Sequence, residues 1–461
     1  MANIPGDFRT SDTITLAAIQ AVTGTRIWVE STACFYTAVP SFAASGTAVL
    51  GGNGVSWEPD TLTAFEGRRT LGNGKPTRSS VLTIFASGHG FVNNSGGSAD
   101  LNDTTDFILG AQAVRATTDG AATAKTIKKT AFTAVNASAT IPVVALKIDS
   151  HDQLAGVQLY LGDTNLANYY KWEMKSSSSQ KWLTAGDWCV KTLSWGAAQI
   201  TGTPNKSNIV DAQFRLIDYG AGATTAHFNL IGFMPNPTKY TNGVVTFSFD
   251  DGYQSQYTAA RAKLDQYGFP ATAFIVVSYL GSSGRLTLAQ LQALRDHSGW
   301  EVAPHATSGT IHGNRLTTLT EEQLEAEFTE LRAWFSANGF EPNVFAYPGG
   351  EYNSAVLKKA QRHFIGARTI FQFPETLPPA DNSKIRTNAY MSSSTLLATV
   401  QTAIDQAYTN KEWLHIVAHN IIDTPVQSTD VATATFNSIV DYVASKGIAV
   451  ATMGDVLRNT P

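Results

Sequence analysis

The sequence predicts a multidomain chain, in which an all-β N-terminal half like a jelly-roll sandwich precedes a distorted parallel (β/α) barrel. Its 461 residues are about three times the roughly 150 of a typical single domain. Over about the first 235 residues, short β-branched and apolar runs recur between Gly-, Asn- and Ser-rich stretches. From about residue 242, strand-like runs alternate with helical ones, which favours a parallel sheet.

Six runs of strand length indicate the β-structure of the N-terminal half. They are residues 26–29, 80–86, 141–148, 156–161, 212–217 and 226–231. Between them lie turn-forming stretches such as 51–54 and 93–97, whose glycines and asparagines suit positive φ. We expect residues 1–85 to form a β-rich attachment or accessory region and residues 86–236 to form the jelly roll.

The α/β half begins after the linker of residues 235–238, Pro-Asn-Pro-Thr, and residues 237–461 fit one barrel domain. Its strands are expected at 244–249, 271–277, 300–304, 344–347 and 414–418. Its helices are expected at 254–267, 287–297 and 320–335, from about 354, and at 433–445. Two of these helices open with capping-box spacing, at residues 287–290 and 320–323.

The composition excludes several classes of protein. With 37 acidic and 33 basic residues the net charge is −4, whereas a nucleic-acid binder carries a concentrated basic surface. No apolar run approaches the roughly 20 residues that cross a bilayer, so we expect no membrane insertion. The two cysteines, Cys34 and Cys189, cannot form a disulfide framework or a cysteine-rich zinc site. No basic segment followed by an apolar stretch opens the sequence, so we expect no signal peptide.

Polar residues that could carry chemistry follow several of the predicted strands. They are Asp250 and Asp251, then His305 with His312 seven positions on, then residues 347–350, and finally His419. In a parallel α/β domain, functional groups collect at the carboxyl ends of the strands. Taken one at a time, each residue also fits a turn or a packed side chain. Their joint appearance, in order at successive strand ends, favours a site.

These residue types suit the hydrolysis of an acyl group. Two adjacent carboxylates point in different directions, so one can bind a metal while its neighbour acts as a base. Two histidines and one carboxylate are a normal ligand set for a catalytic zinc. Such a metal acidifies water and polarises a carbonyl oxygen. A separate protonated histidine can then deliver a proton to a leaving amine or alkoxide.

The motif at residues 246–252, Thr-Phe-Ser-Phe-Asp-Asp-Gly, resembles the first motif of the polysaccharide deacetylases, the NodB-homology family of carbohydrate esterases (family 4). Ser248 stands where that family has a Thr. The resemblance implies that Asp250 is the catalytic base and that Asp251 is a metal ligand. It also implies that His305 and His312 are the two histidine ligands, with an insertion of about three residues between them.

Two further motifs extend the resemblance. Residues 346–350, Ala-Tyr-Pro-Gly-Gly, are similar to the third motif, and the backbone N–H of Gly349 falls where the family places an oxyanion donor. Ala346 occupies the usual position of an arginine that orients the base, and we expect Arg386 to replace it. Residues 413–419 resemble the last motif, which implies that His419 is the general acid.

The resemblance covers about residues 240–457 and implies a metal-dependent hydrolase, with Zn²⁺ as the expected ion. Its partner would be an acetylated polysaccharide of a bacterial surface, from which it removes acetyl groups. Two alternatives remain open. One is an O-acetyl esterase or a cyclic-amide hydrolase of the same superfamily, and the other is a non-catalytic, glycan-binding structural protein of a virion.

The preceding segment resembles other proteins more distantly. Residues 86–235 look like the β-jelly-roll of carbohydrate-binding modules, with candidate sugar-stacking aromatics in 168–172 and 181–183. Residues 1–85 have few charges and are rich in Gly, Ala, Thr and Ser, and this composition resembles that of virion proteins of bacteriophages. This resemblance implies a virion tail protein that acts outside the cell, as a homotrimer if it is a fibre. Otherwise we expect a cytoplasmic protein.

Overall fold

The computed structural model describes residues 85, 87–108, 110–174, 183, 185–235 and 240–459, and before these the backbone of six strands between residues 7 and 83. The chain divides into two compact units, Met1–Leu71 and Gly72–Pro461. The predicted domain boundaries near residues 85 and 236 stay a prediction. Among the helices of the described ranges, none is long and apolar enough to cross a bilayer.

The first unit contains one five-stranded sheet. Its strands are β1 Asp7–Thr10, β2 Arg26–Val29, β3 Cys34–Pro40, β4 Val49–Leu50 and β5 Val55–Pro59. They pair in the order β1-β2-β3-β5-β4, with β1 and β2 parallel and the other neighbours antiparallel. The predicted run at 26–29 is β2, and the described part of this unit is β-structure, as the sequence predicts.

The second unit begins with two antiparallel sheets. The strands are β6 Val81–Thr83, β7 Val92–Ser95, β8 Ser98–Asp103, β9 Ala113–Thr117, β10 Lys125–Lys129, β11 Thr140–Ile148, β12 Leu154–Gly162, β13 Tyr169–Glu173, β14 Trp188–Thr192, β15 Gln199–Thr201, β16 Asp211–Asp218 and β17 Thr225–Pro235. One sheet has the order β15-β13-β12-β16-β10-β7, and the other has β14-β11-β17-β9-β8 with β6 beside β17. The two sheets enclose one hydrophobic core, so this region is a sandwich. Its jelly-roll connectivity stays a prediction.

The aromatic residues singled out at 168–172 lie mostly inside this sandwich. Trp172 is fully buried and Tyr170 is nearly so, and both belong to the sandwich core. Their rings pack together and against Trp195. They are therefore core residues rather than sugar-stacking platforms. Trp182 lies outside the described residues, and Leu183 is buried.

The α/β half contains ten further strands and eight helices among its described residues. The strands are β18 Val244–Asp250, β19 Ala271–Val276, β20 Glu301–Ala306, β21 Val344–Ala346, β22 Gly366–Arg368, β23 Ala389–Tyr390, β24 Trp413–Ala418, β25 Asn420–Ile422, β26 Asp430–Ala432 and β27 Ala449–Val450. The helices are α1 Arg261–Leu264, α2 Leu288–Ser298, α3 Gly309–Asn314, α4 Glu321–Ala337, α5 Ser354–His363, α6 Leu397–Asn410, α7 Thr433–Lys446 and α8 Met453–Asn459. A π-helical turn at Gln256–Ala260 precedes α1.

The parallel sheet has the order β20-β19-β18-β24-β23, with β27 beside β18, while β21-β22 and β25-β26 form separate parallel pairs. The predicted alternation of strands and helices is therefore present. Hydrogen bonds between the described strands do not close the sheet into a ring, so the barrel itself stays a prediction. Thr287 and Thr320 form the two predicted capping boxes, at the starts of α2 and α4.

The two faces of β18 have different roles, because successive side chains of a strand point to opposite sides. Phe247 and Phe249 pack into the large core beneath the helices. Thr246, Ser248 and Asp250 lie on the other face, all of them buried. Asp250 is the last residue of the strand, so this alternation delivers a carboxylate to the carboxyl edge of the sheet.

Buried polar contacts join the sandwich to the α/β half. The ammonium of Lys191 lies 3.3 Å from the carboxylate of Asp381, and both side chains are buried. Just after β14, the Ser194 hydroxyl hydrogen-bonds to Glu412, which also accepts the N–H of Gly196 at 3.2 Å. Such contacts hold the two parts in one orientation.

Candidate active site

Asp250 and Asp251 separate at the end of β18 because the backbone turns sharply there. Asp251 has a φ of +68°, a left-handed conformation that is rare for a residue other than glycine. Its N–H donates to the carbonyl of Phe274 at 3.0 Å, and its carbonyl accepts Arg285 at 2.8 Å. The two adjacent carboxylates are thereby fixed in different directions, as the sequence analysis expects.

His305 reaches the same edge from β20 through an irregularity in the strand. Ile275 of β19 pairs with Pro304 and Val276 pairs with Ala306, so His305 is the extra residue of a bulge. Its Nδ1 lies 2.7 Å from the carbonyl oxygen of Ala346. Because a carbonyl only accepts, Nδ1 carries the proton and Nε2 keeps its lone pair for a ligand.

His312 joins them from the short helix α3. The helix begins after Ser308, whose side chain accepts the N–H of Ile311. His312 sits one turn later, with Nε2 at 3.2 Å from Oδ1 of Asp251 and its ring centroid 4.9 Å from that of His305. The seven positions between His305 and His312 therefore include a helical turn, and this turn brings the second histidine next to the first.

The three side chains fit a divalent metal ion. One donor atom from each of Asp251, His305 and His312 lies within 4.8 Å of the others. The buried Oδ1 of Asp251 accepts no hydrogen bond. A carboxylate and two imidazoles are a set that zinc and similar ions accept, with room for a further ligand.

The electrostatics of these groups also suit a metal. Burial lowers the pKa of His305 to about 4, so its imidazole is neutral near physiological pH, which is the ligand form. Burial opposes ionisation of Asp251, but the adjacent His312 and His305 outweigh it and hold the pKa of that carboxyl below its usual range. The cluster therefore offers an ionised carboxylate and a neutral imidazole.

Asp250 is held by an arginine that the sequence analysis did not identify. Nη2 of Arg368, at the end of β22, lies 2.7 Å from each carboxylate oxygen of Asp250, and both residues are buried. The predicted Arg386 is instead committed to a buried ion pair with Glu375. The arginine beside the expected base is therefore Arg368, because the short pair β21-β22 brings residue 368 to this edge.

His419 approaches Asp250 from β24. Its Nε2 lies 3.8 Å from Oδ2 of Asp250 and 3.2 Å from the hydroxyl of Tyr390. The side-chain amide of Gln256 donates to the carbonyls of both Asp250 and His419, at 2.7 and 3.1 Å. Gln256 thus links the ends of two neighbouring strands and fixes the spacing of the side chains they carry.

Gly349 lies in a turn, Pro348–Gly350, on the His312 side of the cluster. Its φ is +62°, and a Cβ there would lie 2.3 Å from Nε of Arg315. The guanidinium of Arg315 packs on this glycine and also donates to the carbonyl of His312. Only a glycine permits both the turn and the close approach.

The structure therefore gathers all but one of the predicted site residues. Asp250, Asp251, His305, His312 and His419 meet at one edge of the sheet, with Gly349 beside them through Arg315. Arg368, Tyr390 and Gln256 also belong to the site and were not predicted from the sequence. The first two end strands of three and two residues, which are strands only through their pairing with β21 and β24, so no local signal marks them.

Comparisons with known proteins concern this α/β half. Residues 238–366 match the profile of the family described as polysaccharide deacetylase. YxkH of Bacillus subtilis (strain 168), provisionally named a polysaccharide deacetylase, is 30% identical over 148 residues, which are 32% of this chain and 49% of that protein. The poly-beta-1,6-N-acetyl-D-glucosamine N-deacetylase of Staphylococcus epidermidis is 26% identical over 159 residues, which are 32% of this chain and 54% of that protein.

Among solved structures, a family 4 acetyl xylan esterase from Clostridium thermocellum in complex with a cobalt ion is 18% identical, with a TM-score of 0.34. That match covers 47% of this chain and 90% of the esterase. The chain spans about half the length of the two curated relatives. Over residues 238–366, the α/β half is thus similar to the polysaccharide deacetylases.

Proposed function

We propose that the α/β half is a metal-dependent hydrolase that removes acetyl groups from sugars of a bacterial surface polysaccharide. The observation that carries the proposal is the ligand set of Asp251, His305 and His312 beside a buried Asp250 that Arg368 holds. The two curated relatives are named for deacetylation of polysaccharides, one of them for an N-acetylated glucosamine polymer.

The ligand set would hold Zn²⁺ or a similar divalent ion, which acidifies water and polarises an acetyl carbonyl. The carboxylate of Asp250 takes the proton from the attacking water. Arg368 donates to both oxygens of that carboxylate and so fixes its direction at the edge of the sheet. The base is therefore ready before substrate binds.

The other residues act on the acetyl group and the leaving group. The N–H of Gly349 stabilises the negative charge that develops on the carbonyl oxygen. His419, whose Nε2 lies 3.8 Å from Asp250, gives a proton to the departing sugar amine or alkoxide, and acetate leaves. The hydroxyl of Tyr390 fixes the ring of His419 through Nε2, the nitrogen that also faces Asp250.

The test is acetate release from N-acetylated and O-acetylated polysaccharides by the wild type and by Asp250→Ala. We expect the variant to keep its metal and to lose more than roughly a hundredfold in rate, which is the usual contribution of a general base. The matched control is Asp296→Ala at an exposed position, which should keep the wild-type rate. Unchanged turnover by Asp250→Ala, or no acetate from any substrate with the metal-loaded wild type, would overturn the proposal.

A further inference from the structure

A large polar cavity lies on the sandwich, on the outer face of the sheet β14-β11-β17-β9-β8. Its volume is about 790 Å³, and we call it the sandwich cavity. The charged side chains that line it are Asp100, Asp106, Arg115, Lys147, Asp149 and His227. A space of this size is in the range of small-molecule sites.

The strand register arranges the key side chains in one row across the sheet. Lys147 of β11 pairs with Trp188 of β14 on one side and with His227 of β17 on the other. His227 in turn pairs with Arg115 of β9, which pairs with Asp100 of β8. Five neighbouring strands at the usual spacing of about 4.8 Å make this row roughly 19 Å long. The row is therefore a track for an elongated ligand.

Contacts within the row hold its charged groups in place. Lys147 forms an ion pair with Asp106, which also accepts the indole N–H of Trp188 at 2.8 Å. Nε2 of His227 lies 3.1 Å from Asp149. Such groups need little further ordering when a ligand arrives, which reduces the entropic cost of binding.

Two buried atoms beneath the track lack a hydrogen bond. His227 and Asp103 are each more than nine-tenths buried, yet neither Nδ1 of His227 nor Oδ2 of Asp103 has a hydrogen-bond partner. The two atoms lie 3.6 Å apart. A buried polar atom without a partner is costly, and His227 also lines the cavity. The two atoms face each other across this gap, which places the ring of His227 at the floor of the cavity.

The charged side chains in and beneath the cavity indicate which kind of ligand it can bind. Carboxylates outnumber the fixed cations, since Asp103 adds to the three that line the cavity while Arg115 and Lys147 are the two cations. An acidic polymer or a nucleic acid would therefore meet net repulsion. Lys147 and Arg115 offer donors, the aspartates offer acceptors, and Trp188 adds an aromatic edge. This combination suits the hydroxyls and ring faces of sugars.

We propose that the sandwich cavity binds a neutral or amine-bearing oligosaccharide. The strand that carries Trp188 continues to Lys191, whose ion pair with Asp381 joins the sandwich to the α/β half. A glycan in the cavity is thus held in a fixed orientation relative to the α/β half. That this glycan belongs to the polymer being deacetylated rests on the proposed function, whereas sugar binding by the cavity does not.

The binding test uses the full chain on an array of bacterial oligosaccharides with neutral, amino and uronic-acid sugars. We expect the wild type to bind neutral or amino-sugar glycans and not uronic-acid ones. The cavity variant is the double substitution Arg115→Gln/Asp149→Asn, at two half-exposed positions. Its affinity for the glycan should be at least roughly tenfold lower than that of the wild type. The matched control Asp152→Asn/Arg215→Gln, outside the lining of the cavity, should bind like the wild type.

A second measurement does not depend on any cavity variant folding. The indole N–H signal of Trp188, assigned by its loss in Trp188→Phe, should shift in the wild-type ¹H–¹⁵N spectrum when the best array glycan is added. The inference would be overturned if the wild type bound no glycan or preferred uronic acids. It would also be overturned if the cavity variant bound as tightly as the wild type, or if the indole signal did not shift.

Acetate release from a small soluble acetylated sugar separates this inference from the proposed function. The cavity variant should keep the wild-type rate on that substrate, because the substitutions lie on the sandwich. If the wild type binds glycan through the cavity but releases no acetate, the proposed function is refuted and the assignment of the cavity as a glycan site is not affected.

Discussion

One guanidinium nitrogen of Arg368, Nη2, lies 2.7 Å from both carboxylate oxygens of Asp250. Both side chains are almost fully buried, so water screens this ion pair only weakly. The arginine comes from β22, a strand of three residues that is separate from the main sheet. The pair therefore places the carboxylate that serves as the base in our proposal.

Replacing Arg368 should affect catalysis more than metal binding. We expect Arg368→Met to lose roughly a hundredfold in kcat per folded molecule while it keeps its metal, because Asp250 loses the partner that orients it. Arg368→Lys should recover part of the rate, since it keeps the charge. The measurements are acetate release, metal content and thermal unfolding.

The matched control is a second buried arginine of the α/β half. Arg386→Met breaks the ion pair with Glu375 and should lower stability by about 3 to 5 kcal/mol. Its kcat per folded molecule should stay near the wild-type value. If the two methionine variants lose kcat equally, Arg368 has only a structural role.

Gly349 should not tolerate a side chain. In Gly349→Ala the methyl group would meet Nε of Arg315 at 2.3 Å, and a residue with a Cβ is strained at the φ of +62°. We expect a loss of about 2 kcal/mol in unfolding free energy and a lower kcat. Thermal unfolding and acetate release measure the two effects.

Substitution of Gly299 measures how much stability is lost to the positive φ alone, without a steric contact. It has a φ of +65°, and a Cβ there would meet nothing within 4 Å. Gly299→Ala should therefore cost only about 1 kcal/mol and leave kcat unchanged. Equal losses in the two alanine variants would show that the contact between Gly349 and Arg315 is unimportant.

Glu412 should make stability depend on pH. Burial raises its pKa to about 7 from an ordinary 4.5, although Ser194 and Gly196 hydrogen-bond to it. Between these two values the folded protein holds a proton that the unfolded chain releases. The contribution of Glu412 to stability is therefore present below about pH 4.5, declines as the pH rises, and is lost above about pH 7.

The variant Glu412→Gln isolates that contribution. The difference in unfolding free energy, Glu412→Gln minus wild type, should increase by about 3 kcal/mol between about pH 4.5 and pH 7.5. The exposed Glu330→Gln serves as the control and should show no such trend. Thermal or urea unfolding across this range is the measurement, and parallel curves for Glu412→Gln and the wild type would refute the assignment.

Long, periodic elements of the fold could be predicted from the sequence because their signals are local. Thr320 begins α4 with the predicted capping box, and Leu324, Phe328 and Leu331 lie on the buried face of this helix. Strand β18 is a continuous apolar run that ends at Asp250, and it too has nearly the predicted bounds. Buried parallel strands of this kind are readily seen in a sequence.

Two of the missed residues belong to elements without a local signal. Strands β22 and β23 have three and two residues, too few to show alternation, and their ends carry Arg368 and Tyr390. They are strands only because β21 and β24 pair with them. Whether Arg368 or Arg386 faces Asp250 depends on that pairing and on the position of Glu375, which are contacts between distant parts of the chain.

The central claim is that Asp251, His305 and His312 hold a metal ion that deacetylation requires. The most direct test is the divalent metal content, with acetate release in parallel, of the wild type, His312→Ala and the control His297→Ala, whose histidine is exposed. We predict about one ion per chain in the wild type and the control, and loss of both metal and activity in His312→Ala. A wild type without metal after incubation with zinc, or His312→Ala with full metal content, would contradict the account.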